Sequence, residues 1–89
     1  MMIQVIKKLS KHEIEKKGIE NWLIWEKDVS DFDWYYESEE MCYVLKGKAR
    51  IKTIYQEVVL EPGDFAIFPA GLRCKWHIEE KFKKYYNIE

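Results

Sequence analysis

Hydrophobic and polar residues alternate along several stretches of the chain, which is the pattern of half-buried β-strands. In the segment RCKWHI, Cys74 and Trp76 fall on one face and the charged residues fall on the other. In the segment FDWYYE, Trp34 and Tyr36 share a face with Phe32. The alternation therefore predicts two strands, and it predicts that the Cys74 side chain points into the interior.

Glycine and proline residues divide the chain into further short, strand-like segments. The positions of Gly47 in LKGK, of Gly63 in EPGD and of Gly71 in PAG predict a tight hairpin, a type II turn and a third chain reversal. The segments MCYVL, ARIKTI, EVVL and DFAIF lie between these turns and are rich in β-forming residues. Many short strands in one small chain predict an all-β fold, a compact antiparallel sandwich or barrel.

One short helix is predicted near the N-terminus. Ser10 and Glu13 have the spacing of a capping box, and Gly18 is placed to end the helix about two turns later. A short strand, MIQVIKKL, precedes it. We therefore expect a single domain over residues 1–89, with the strand and helix within about residues 1–20 and the barrel within about residues 21–89.

Composition and charge narrow the classes of function. The net charge of −1 and the pI of about 6.1 argue against a nucleic-acid-binding surface, which needs clustered basic residues. The chain has no apolar stretch long enough to span a membrane and no signal peptide. Its two cysteines are too few for a disulfide framework. We expect a cytoplasmic protein that has neither nucleic-acid nor membrane partners.

Two spaced motifs give the chain a resemblance to a known superfamily. The first combines Trp34 and Tyr36 with an E-x6-G spacing that starts at Glu40. The second is the segment GDFAIFPAGLRCKW, in which glycine, proline and glycine precede Cys74 at fixed spacing. With these motifs the chain resembles the cupin superfamily, and more closely the small single-domain cupins of the ureidoglycine aminohydrolase type.

The resemblance implies a jelly-roll barrel that forms a homodimer through a sheet face. The aromatic residues Tyr35 and Tyr43 are expected on the outside of the barrel, where an exposed aromatic strand indicates a partner surface. Metal-dependent cupins hold their ion with three histidines and one glutamate. In this chain Glu40 matches the glutamate, whereas Trp34, Tyr36 and Cys74 stand at the histidine positions. We therefore expect no metal and no other cofactor.

Without metal ligands, the barrel is expected to bind a small polar or nitrogenous molecule in an aromatic pocket. The predicted ligand-binding residues are Trp34, Tyr36, Glu40, Cys74 and Trp76. Glu40 is the candidate acid/base or anchoring group, because burial among aromatic rings suits a carboxyl group to proton transfer. Cys74 is a candidate contact and a candidate nucleophile. Whether the pocket also catalyses a reaction stays open.

Two alternatives compete with this prediction. In the first, Trp34 and Trp76 fill the barrel, and the protein is a non-catalytic sensor or assembly module. In the second, Glu40 and Cys74, with Cys42 as a third candidate ligand, hold a metal ion for an aminohydrolase-like reaction. If Glu40 were only structural, we would expect the hydroxyl of Tyr36 to hydrogen-bond its carboxylate.

Overall fold

A computed structural model describes all 89 residues of the chain. Seven strands, one α-helix and one 3-10 turn follow each other in the order β1, α1, 3-10 turn, β2 to β7. Their bounds are β1 Gln4–Ile6, α1 Lys11–Lys17, the 3-10 turn Ile19–Asn21, β2 Leu23–Lys27, β3 Ser30–Tyr35, β4 Glu40–Lys52, β5 Glu57–Leu60, β6 Phe65–Phe68 and β7 Arg73–Ile88. All strand pairings are antiparallel.

The two long strands, β4 and β7, form the centre of the fold. They pair along their whole length, and each is flanked on its other edge by two shorter strands in succession. β6 and β5 pair with the first and last parts of β4, while β3 and β2 pair with the first and last parts of β7. The result is a small jelly-roll barrel, which confirms the predicted all-β fold.

Gly47 lies inside β4, so the prediction of a hairpin at this glycine is wrong. MCYVL and the first four residues of ARIKTI belong to one strand, and the pairing register with β7 shifts on both sides of the glycine. Gly47 has φ 87°, and a Cβ at this position would overlap the carbonyl oxygen of Lys81. The glycine therefore allows an irregularity at which the two long strands bend, and the chain does not reverse.

The turn at Pro62–Gly63 agrees with the type II prediction, because Gly63 has φ 94° and the Asp64 N–H donates to the Glu61 carbonyl at 3.0 Å. The Asp64 carboxylate is buried and fixes the turn. It accepts hydrogen bonds from the backbone N–H groups of Glu61 and Lys8, and it pairs with the Lys7 ammonium. This carboxylate therefore ties the N-terminal segment to the barrel and is structural.

The predicted helix and both of its ends are confirmed. The Ser10 hydroxyl accepts a hydrogen bond from the Glu13 N–H at 3.2 Å, and Gly18 has the left-handed φ of 65° typical of a C-terminal cap. The segment around the helix packs on the outer face of the barrel through a second apolar cluster. Tyr43 belongs to the partly buried rim of this cluster. Tyr43 therefore lies on the outside of the barrel as expected, but the helix segment partly covers it, whereas Tyr35 is exposed.

The main core lies inside the barrel, and the alternation predicts its residues correctly on β7. Cys74, Trp76 and Ile78 are buried, whereas His77 between them is exposed. Glu40 also points inward, in line with the fully buried Cys42. No helix of the structure is long and apolar enough to cross a membrane.

Candidate ligand-binding pocket

A cavity of about 210 Å³ opens between the aromatic side chains of the barrel. Two of its lining residues carry charge, and the others are apolar or aromatic. They come from β2, β3, the segment that follows β3, β4 and both halves of β7. The lining residues are Trp25, Phe32, Trp34, Tyr36, Glu40, Trp76, Lys84, Tyr86 and Ile88. The barrel is therefore not filled completely by its own side chains.

The two charged residues form a buried ion pair. The Lys84 ammonium donates to Oε2 of Glu40 at 2.7 Å, and the two side chains are 7% and 10% exposed. The other oxygen, Oε1, has no hydrogen-bond partner in the protein. In this structure every fully buried side-chain polar atom has a hydrogen-bond partner. Because Oε1 has none, it is not fully buried and keeps some solvent-accessible surface. Glu40 also lines the cavity. The pair therefore presents an unused acceptor to a ligand.

The Lys84 ammonium is surrounded by aromatic rings. Its Nζ lies 4.9 Å from the ring centre of Trp76 and 5.0 Å from that of Trp25. The rings of Phe68 and Tyr86 follow at 5.8 Å and 6.0 Å. Each distance allows a cation–π interaction, which is strongest where water is excluded. These four rings form an aromatic cage that holds a cation of the protein itself.

Lys84 is the main residue that the sequence analysis missed. The hydroxyl of Tyr36 was the expected partner of a structural Glu40, and the structure gives that role to the lysine. A signal for it exists in the segment FKKYYNI. The alternation on β7 continues through Phe82, Lys84 and Tyr86, and it places all three on the inner face. A lysine in an inward position was the available indication of a buried partner.

The three predicted aromatic walls differ in their placement. Trp76 is 1% exposed, belongs to the core and lines the cavity with part of its surface. Tyr36 is also buried and stacks on Phe68, with ring centres 4.7 Å apart. Trp34 is 51% exposed and lies at the edge, with its ring in edge contact with Phe32 and Tyr36. Trp34 therefore does not fill the barrel, as one alternative required.

Cys74 does not line this cavity, contrary to its predicted role as a ligand contact. It borders a neighbouring surface groove together with Trp34, Arg73 and the end of β4. Burial raises the pKa of the Cys74 thiol to about 11, and burial likewise raises the pKa of Cys42 to about 11. Both thiols are free and stay protonated at neutral pH, a state that does not suit a nucleophile.

The residues present do not fit the metal site of metal-dependent cupins. No three histidine, cysteine, aspartate or glutamate side chains are grouped so that they can hold an ion. Burial, with Glu40 close by, raises the pKa of Tyr36 far above its ordinary value, so its phenol stays neutral. The one carboxylate, Glu40, already faces the Lys84 ammonium. The carboxylate that matches the metal-binding glutamate is therefore paired with a cation of the protein itself.

Comparison with known families and solved structures identifies proteins that resemble this chain. The family model of the EutQ-like cupin domain matches residues 14–86. A DUF861 family protein from Thermotoga maritima is 40% identical, with a TM-score of 0.94, and the match covers 99% of this chain and 100% of that one. No curated protein matches the chain. The finer resemblance to the ureidoglycine aminohydrolase type stays a prediction.

Two more distant structures share the fold. The EutQ protein of Clostridium difficile is 18% identical with a TM-score of 0.68, and the match covers 97% of this chain and 66% of that one. A cupin superfamily protein from Desulfitobacterium hafniense is 16% identical with a TM-score of 0.62, over 96% of this chain and 74% of that one. At such identities the likeness concerns the barrel alone.

Proposed function

Since the chain belongs to the EutQ-like cupin family, we propose that its barrel binds a small, neutral, planar molecule with an N–H donor beside a carbonyl acceptor. The barrel cavity described above is the binding site. Glu40 accepts from the ligand N–H, and Lys84 donates to the ligand carbonyl. This proposal specifies the polar or nitrogenous ligand expected from the sequence, and it needs no metal.

The charge of the pocket supports a neutral ligand. Glu40 and Lys84 carry opposite charges at 2.7 Å, so the pair as a whole is neutral. A cationic ligand would meet the Lys84 ammonium within the ring cage, and an anionic ligand would meet the Glu40 carboxylate. A ligand with adjacent donor and acceptor groups satisfies both, because the carboxylate only accepts hydrogen bonds and the ammonium only donates them.

The walls and the volume of the cavity limit the shape of the ligand. The cavity has a volume of about 210 Å³ and is partly open to the surface. This space accommodates a single small ring. The rings of Trp25, Phe32 and Trp76 pack around the space, with Phe32 and Trp76 stacked at an interplanar angle of 8°. Planar ligands pack well against such aromatic faces.

The observation that carries the proposal is the position of the ion pair inside an aromatic cavity. Removing two charges from water is costly, and well-packed apolar residues in their place often give equal or higher stability. The Glu40–Lys84 pair is therefore poorly explained as a device for stability. It is well explained as polar recognition groups in an otherwise apolar pocket, the usual composition of small-molecule sites.

Binding is testable by NMR with probes of different charge. The probes are hydantoin, which is neutral and carries N–H beside C=O, guanidinium as the cation and propionate as the anion. Trp25, Trp34 and Trp76 line the cavity, whereas Trp22 packs on Phe65 under the helix segment. Hydantoin is expected to shift the first three indole N–H signals saturably and to leave the fourth in place.

Variants identify the groups that bind. The double variant Glu40→Leu/Lys84→Met removes both polar groups and should weaken hydantoin binding at least about 10-fold, the effect of losing one charged hydrogen bond. Lys83→Met changes the adjacent lysine, which pairs with Glu26 on the outside, and should bind like the wild type. Equal binding by the double variant, or stronger binding of either charged probe, would contradict the proposal.

A further inference from the structure

We propose that the Glu40–Lys84 pair also catalyses proton transfer at a carbon next to a carbonyl group. The reaction class is enolisation, and it leads to hydrogen exchange or to isomerisation of the bound molecule. This inference rests on the proposed function, since it uses the same pocket and the same ligand class. It adds a chemical role for each of the two charged groups.

Glu40 has the features of a general base for this reaction. Its Oε2 is held by the Lys84 ammonium, while its Oε1 has no partner in the protein and keeps accessible surface, and Glu40 lines the cavity. The carboxylate is thus fixed through one oxygen. A carboxylate oxygen has two lone pairs, so Oε1 can accept from the ligand N–H with one and keep the other for the proton that it removes.

Lys84 supplies the complementary electrophilic group. An ammonium has three N–H donors, and Glu40 is the only hydrogen-bond acceptor that the protein offers to it. The remaining donors face aromatic rings, which surround Nζ at 4.9 to 6.0 Å. A carbonyl oxygen that develops negative charge would accept from these donors. Such stabilisation is strong in a site that excludes water, because the dipoles and charges are already in place.

The step balances without any further reactant. The C–H proton of the ligand moves to Oε1 of Glu40, and the C–H bonding pair becomes the C=C bond of an enolate. The carbonyl π pair moves to oxygen, where the Lys84 N–H donors stabilise the charge. In the reverse direction the carboxyl group returns a proton to the same carbon or to another carbon of the conjugated system, and exchange results when the carboxyl proton is first replaced by one from water. No oxidant, reductant or leaving group is involved.

Hydantoin in D₂O tests this inference, because its ring CH₂ lies next to a carbonyl group. The loss of the CH₂ signal is followed by ¹H NMR at neutral pH with and without protein. We expect the wild-type protein to accelerate exchange at least about 100-fold over buffer, the lower range for general base catalysis. Glu40→Gln keeps an oxygen that can accept from the ligand N–H, so it should still bind hydantoin and lose the acceleration, whereas Glu40→Asp should keep part of the acceleration. Lys83→Met should behave like the wild type.

The outcomes separate the two proposals. If hydantoin binds to the wild type without faster exchange, catalysis is refuted and the binding function stands. The same holds if Glu40→Gln exchanges as fast as the wild type, or if Glu40→Asp is as inactive as Glu40→Gln. If hydantoin does not bind at all, both proposals fail. Binding by Glu40→Gln also reports that this variant is folded, so a loss of exchange then reflects the missing carboxylate.

Discussion

Breaking the Glu40–Lys84 pair from either side should destabilise the protein by different amounts. Lys84→Met leaves the Glu40 carboxylate, 10% exposed, among ring faces with no donor. Removing one partner of a buried ion pair typically costs about 3–5 kcal/mol of unfolding free energy.

The opposite variant should be milder. Glu40→Gln leaves the Lys84 ammonium with four rings within 6.0 Å, and these rings still attract it. A desolvated cation–π contact is worth about 2 kcal/mol, so we expect Glu40→Gln to cost about 1–3 kcal/mol. The carboxylate left by Lys84→Met gains nothing from the same rings, because their faces are negative. The order of the two losses therefore tests the role of the cage.

The assay is urea unfolding of the two single variants, the double variant Glu40→Leu/Lys84→Met and the control Lys83→Met. The double variant should be within about 1 kcal/mol of the wild type or more stable, since no unpaired charge remains. A loss in Lys84→Met no larger than in Lys83→Met would refute the reasoning.

Three further outcomes follow from the glycine, the thiols and the pocket edge. Gly47→Ala should lower the melting temperature far more than Gly18→Ala, since only the former forces a Cβ into a carbonyl oxygen; the left-handed φ alone costs about 1–2 kcal/mol. In the folded protein, burial raises the pKa of the Cys42 and Cys74 thiols from the ordinary 9.0 to about 11. As the pH rises, the unfolded chain therefore loses these two protons at a lower pH than the folded protein does. Stability should therefore fall between about pH 9 and 11, and less steeply in the double alanine variant. Trp34→Ala, at a 51% exposed position, should weaken hydantoin binding in the NMR titration while urea unfolding changes by less than about 1 kcal/mol.

The sequence predicts the barrel well because β7 and the first part of β4 alternate between inward and outward positions. The inward positions of Cys74 and Trp76 follow from the period of two alone, and so does the inward position of Glu40. The capped helix is equally local, since Ser10 and Gly18 are read from their residue types. Burial of the carboxylate was therefore predictable from the chain, and the inward position of Lys84 was the one local indication of its partner.

What the sequence did not predict depends on contacts between distant parts of the chain. The segment around Gly47 has the residue types of a hairpin turn. Only the close approach of Gly47 to Lys81 shows that the strand continues through it. Cys74 does point inward, yet it borders a different groove from the cavity. Alternation predicts on which face of a sheet a side chain lies. It does not predict which residues of that face line a given cavity.

The bend in β4 and β7 explains why the pocket exists at all. Trp76 and Lys84 lie on the same strand, and in a straight strand their Cα atoms would be roughly 26 Å apart. In the barrel the Lys84 ammonium lies 4.9 Å from the Trp76 ring. The strand must therefore bend sharply between them, in the region where the β4 register shifts around Gly47 and Lys81 packs against the glycine. Without this bend both side chains would still point to the inner face, at opposite ends of a sheet, and neither the cage nor the paired carboxylate would form.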